Sequence, residues 1–229
     1  MNSRRAAVIM AAALFVLLPS VSQAWSPAWL ETWFDSGYAG YSGRVYRNET
    51  YYDVYWTAFK SFTDHAKTHR WADLYCVDMI GEFSGGWTYY KVFQTAYEDV
   101  PNIPPNGTEF GLDWAAALYN KYAAGFQGTG GVKAANRAAL QVAMWEALYD
   151  GAPGFDYDIG SGVFHTAANP TILETAAGFL EDTQYTQNGG YYDDTQNLMG
   201  PTPEPGTLML LGAGILGTGL ATWRRRRKS

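Results

Sequence analysis

From Gly206 to Trp223 the chain carries no charge over 18 residues, and it then runs straight into Arg224-Arg225-Arg226-Arg227-Lys228. No other feature restricts the fold as much. As a helix the stretch would extend roughly 27 Å, close to the ~30 Å hydrocarbon core of a bilayer. A basic cluster at its end stops translocation and stays on the cytoplasmic side. Glycines at 212, 214, 217 and 219 allow such a segment to pack closely. The C-terminus is therefore expected to be one transmembrane helix, and the folded part lies ahead of it.

The other end is biased in a different way. Arg4 and Arg5 precede 13 apolar residues, Ala6 to Leu18. Pro19 breaks that run, and Ser22-Gln23-Ala24 places small residues where a signal peptidase reads them. The run is shorter than the ~20 residues of a membrane span. Residues 1–24 are expected to be a signal peptide, a short helix removed on export, with the mature chain starting at Trp25.

Without these ends the charge balance changes. Residues 25–205 keep nine of the 16 Lys and Arg but all 22 Asp and Glu, a net charge of −13. Nucleic acid is excluded as a partner, since phosphate binding needs a basic surface. A soluble, self-repelling surface protein fits. Cys76 is the single cysteine, so an exported domain of this chain has no internal disulfide and must hold together by packing.

The middle reads as α+β, with an antiparallel sheet, sandwich or barrel-like first half and a mostly helical second half. Residues 25–42 are aromatic and Gly/Ser-rich without a clear period. Tyr52, Val54, Trp56 and Ala58 alternate on one face, predicting one or two strands over 44–62. Residues 73–80 predict another strand, with Leu74, Cys76, Asp78 and Ile80 on one face, and 87–97 a further one. Helices are expected over 112–124, 133–149 and, from the Asn169-Pro170 start, to Leu180. Residues 181–202, rich in Gln, Asn, Gly and Asp, read as a polar linker.

Pro203-Glu204-Pro205, then one apolar segment, then the Arg224 to Arg227 cluster resemble the PEP-CTERM sorting signal. The resemblance implies an exopolysaccharide-producing Gram-negative host in which a membrane-embedded exosortase processes the signal. The protein would pass from the inner membrane to the cell surface or extracellular matrix. The expected organisation is a signal peptide at 1–24, an extracytoplasmic domain at 25–180, the linker at 181–202 and the sorting signal at 203–229.

Two segments carry possible chemistry: Leu74-Tyr75-Cys76-Val77-Asp78, and Leu140-Gln141-Val142-Ala143-Met144-Trp145-Glu146. Gln141 shares a helical stripe with Ala138, Trp145 and Leu148. An uncharged amide on an apolar stripe needs a partner, because burying it unsatisfied costs several kcal/mol. The residues alone leave two readings open. Cys76 is either a nucleophile or a small buried hydrophobe, and Gln141 either reacts with it or hydrogen-bonds a loop backbone.

These segments resemble the thioester domains of bacterial surface adhesins, which combine an aromatic-Cys strand motif with a later Gln-x-Ala-Ile/Met-Trp helix motif. The resemblance implies that the Cys76 sulfur attacks the Gln141 side-chain carbonyl, ammonia leaves and an internal thioester remains. Tyr75 and Trp145 would wall the bond from water. Asp78 would orient the amide or assist proton transfer. Leu140 stands where the family often has a hydroxyl residue. Such a domain attaches covalently to an amine-bearing target without turnover, so the chain is not expected to be an enzyme. A non-reactive matrix or carbohydrate-binding surface protein is the alternative, because the Tyr/Trp-rich strands could stack sugars.

Other signals are weaker. His65 and His69 near Asp64 lack an evident third ligand, so no metal and no cofactor are expected. Cys76, His165 and Asn169 follow the order of papain-like proteases, but the local context around the cysteine is absent.

Overall fold

A computed structural model of the chain describes residues 28–35, 41–62, 66, 70–79, 86–95, 100, 103–128, 130–193 and 197–201. In chain order these form β1 (Ala28–Asp35), β2 (Tyr41–Arg47), β3 (Thr50–Trp56), β4 (Phe59–Phe62), β5 (Arg70–Cys76) and β6 (Gly86–Gln94). There follow α1 (Glu109–Tyr122), α2 (Gly131–Asp150), β7 (Phe164–Thr166), α3 (Pro170–Asp182), β8 (Gly190–Asp193) and β9 (Leu198–Gly200).

Six strands close an antiparallel barrel in the order β1-β4-β5-β9-β8-β6, and β3-β2-β7 make a separate antiparallel sheet. The β2–β3 hairpin turns at Asn48, whose φ of 52° is left-handed and is tolerated by Asn better than by most side chains. Thr108 caps α1 by accepting from the Gly111 N–H at 2.9 Å. Asn169 caps α3 by accepting from Thr171 N at 2.9 Å, and Pro170 fills the first helical position.

Helix α2 is the centre of the fold. Every residue from Arg137 to Tyr149 is buried. A helix apolar on all sides must be surrounded. Here α1, α3 and the β3-β2-β7 sheet pack around it. Gly111 on α1 lets the two helices approach closely, since a Cβ there would stand 2.4 Å from the Ala147 carbonyl oxygen.

Antiparallel sheets and helices in one chain agree with the α+β expectation: six strands fill the first half, and the second half is mostly helical with three short strands added. Residues 44–62 lie in three strands rather than one or two, and residues 28–35 form a strand that no alternation announced. The stretch expected to be a linker instead supplies β8 and β9, and Tyr191, Tyr192, Leu198 and Met199 are fully buried in it. The physical reason is topological. Those two short strands bridge β6 to β5 and thereby close the barrel. The expected signal helix and C-terminal transmembrane helix lie outside the described residues. Among the described residues no helix is long and apolar enough to cross a membrane.

Candidate functional site

The barrel and the central helix meet at the end of β5. Strand β5 pairs with β9 through Tyr75 opposite Met199 and Cys76 opposite Leu198, and Val77 N donates to the Asn197 carbonyl at 3.0 Å. On its other side β5 pairs with β4, with Phe59 opposite Leu74. That register would set Thr57 opposite Cys76, but β4 begins only at Phe59. The edge of Cys76 therefore outruns its neighbouring strand.

The Gln141 side chain fills that gap. Its Oε1 accepts from the Cys76 N–H at 3.1 Å, and its Nε2 donates to the Cys76 carbonyl at 2.6 Å. A primary amide has the donor and acceptor of a peptide group, so one side chain satisfies both backbone groups of the strand end. Gln141 is fully buried, and Cys76 is a buried cysteine in no disulfide.

The supporting residues are placed unevenly. Trp145, one turn on from Gln141, is buried with its ring 6.0 Å from that of Phe164. Tyr75 is fully buried, but alternation turns its side chain to the strand face opposite that of Cys76, where its ring meets Tyr119 edge-on at 6.0 Å. It walls the far side of β5 rather than the cysteine side chain. Asp78 is half-buried just past β5, and its charge acts on the Tyr149 hydroxyl. The Gln141 amide meanwhile has its two partners on Cys76.

Tyr149 and Glu146 were missed by sequence reasoning. The Tyr149 hydroxyl donates to the Val77 carbonyl at 3.2 Å and so ties α2 to the chain leaving the site. Burial, then the nearby Asp78 charge, push its pKa up, which keeps it neutral. Glu146 sits in the buried run of α2, and a charged residue inside that run was the available signal. His65, His69, Pro203, Glu204, Pro205 and Arg224 to Arg227 lie outside the described residues. His165 stacks on Tyr46 on the second sheet rather than beside Cys76. Among the described residues no group of three His, Cys, Asp or Glu could hold a metal ion.

Residues 201–227 match the PEP-CTERM protein-sorting motif. The motif implies export, membrane-associated sorting and processing by an exosortase. No curated protein matches the chain. Among solved structures, the N-terminal thioester domain of the fibronectin-binding protein SfbI from Streptococcus pyogenes is weakly similar. It is 15% identical with a TM-score of 0.38, over 80% of this chain and 97% of that one.

Proposed function

We propose that Cys76 and Gln141 condense to an internal thioester that arms the exported domain for one covalent capture of an amine-bearing surface target. The observation that carries this is the seating of the Gln141 amide on the Cys76 backbone, buried and held at both ends. The Cys76 N–H polarises the carbonyl and is placed to stabilise the oxyanion formed when the thiolate attacks. The Sγ–Cδ bond forms, the Cδ–Nε2 bond breaks, and the thiol proton leaves with nitrogen as ammonia. Fixed orientation supplies the effective molarity that an unreactive carboxamide needs. An incoming amine then takes the acyl group and returns the thiol, so each molecule acts once and the chain is not an enzyme. The PEP-CTERM signal delivers it to the surface or matrix of a Gram-negative host.

A second reading has its own support. The same two hydrogen bonds give both ends of the Gln141 amide a partner, as a clasp in a non-reactive matrix protein would. Intact mass separates the two. Under the thioester reading the purified protein is lighter by one ammonia, and Cys76 resists alkylation after unfolding until methylamine is added. Gln141→Ala then shows full mass and a free thiol. A wild type of full mass whose unfolded thiol alkylates at once leaves only the clasp.

A further inference from the structure

The outer face of the β3-β2-β7 sheet is built differently from the inner face that α2 covers. Alternation puts Ser42, Arg44 and Tyr46 of β2 on that outer face, with Tyr51 and Asp53 of β3 and His165 of β7 beside them. Successive rungs pair Arg44 with Asp53 and Tyr46 with both Tyr51 and His165. Tyr51 is 54% exposed.

The rings are held in place. Tyr46 stacks on His165 at 4.7 Å with planes 4° apart, and Tyr51 meets Tyr46 edge-on at 6.3 Å. The Arg44 guanidinium lies 4.2 Å from the Tyr51 ring centroid, and its Nε donates to Asp53 Oδ1 at 3.3 Å. One rung further along, a cavity of about 290 Å³ is lined by Ser42, Gly43, Asp53 and Val54. Three rungs two residues apart cover about 14 Å. The face thus presents a fixed aromatic ring beside a recess of mixed lining, in which Ser42 and Asp53 are the polar side chains.

We propose that this face binds an uncharged polysaccharide, with Tyr51 stacking on the C–H face of one sugar and Ser42 and Asp53 hydrogen-bonding hydroxyls of the next. A pyranose has an apolar face and a polar rim, and a tyrosine offers the matching pair of surfaces at low entropic cost. Arg44 and Asp53 neutralise each other, so the face itself does not select an ion. The −13 charge of residues 25–205 repels an anionic polymer. The site needs neither Cys76 nor Gln141, so it stands whether or not a thioester forms.

The test uses the full-length protein in a sugar-free zwitterionic detergent, run by affinity electrophoresis through gels containing laminarin, dextran, galactomannan or alginate. At least one neutral polymer should retard it. Tyr51→Ala should weaken that retardation about tenfold, with an unchanged far-UV spectrum. Tyr51→Phe should retain most of it, and Tyr185→Ala, at another exposed tyrosine, should leave it unchanged. Retardation by no neutral polymer, by alginate alone, or to the same extent in Tyr51→Ala overturns the proposal. A Tyr51→Ala variant that instead converts a dimer to a monomer on a sizing column assigns the face to a second copy and overturns it as well.

Discussion

Gln141 and Glu146 stand five residues apart on α2, both fully buried, and their surroundings drive them in different directions. Gln141 has a partner for each end of its amide. Glu146 has one: its Oε1 accepts from Asp158 N at 2.7 Å, while Oε2 is buried with no hydrogen-bond partner. Burial, with added repulsion from Asp150 and Asp158, lifts its pKa from 4.5 to about 8 despite the Asp158 hydrogen bond. The folded protein therefore binds a proton there that the unfolded chain has released. Its contribution is fully present below about 4.5 and is lost as the pH rises through about 8. Denaturant titrations at pH 6 and pH 9 should show wild type losing on the order of a few kcal/mol more than Glu146→Gln. Parallel losses in the two proteins would remove the assignment. That Gln141 needed a partner was legible because an amide on an apolar stripe begs for one, whereas Cys76 as that partner came only from the family resemblance. Glu146 showed only as a charge inside an apolar run, and its cost comes from the loop around Asp158 held against it, which no local pattern records.

Helices α1 and α2 meet backbone to backbone at Gly111. A Cβ there would lie 2.4 Å from Ala147 O and 2.6 Å from Leu148 O, and neither is a flexible side-chain end that could swing aside. Gly111→Ala should therefore push α1 off α2 and lower stability by about 1–3 kcal/mol, read as a shift in denaturation midpoint. Gly125→Ala, with nothing within 4 Å of the added methyl, should stay within about 0.5 kcal/mol of wild type. The helices themselves were visible in advance, since α2 has a long apolar run and α3 opens on Asn169-Pro170. Strand β1 was not, because residues 25–42 do not alternate. Its pairing with both β4 and β6 is set by partners distant in sequence.

At the scale of the whole molecule, the barrel closes with the last described strands of the chain. Their flanks are rich in Gln, Asn, Gly and Asp, which is why residues 181–202 read as a linker. What decides their fate is the four fully buried side chains Tyr191, Tyr192, Leu198 and Met199. Each contributes roughly 1.5–3 kcal/mol of burial, against a total stability of about 5–15 kcal/mol for a domain. Tyr192 also donates its hydroxyl to the Pro201 carbonyl at 2.7 Å. Residues 201–205 alone then separate the barrel from the apolar stretch, a reach of at most about 18 Å. If the apolar stretch spans a membrane as expected from the sequence, the domain is held close against it rather than on a long tether until the signal is processed. A chain spanning 25–180 should lack near-UV circular dichroism and cooperative unfolding, whereas one spanning 25–201 should show both. Cooperative unfolding of the shorter chain would mean that β8 and β9 are dispensable and that the tether begins at Glu181 after all.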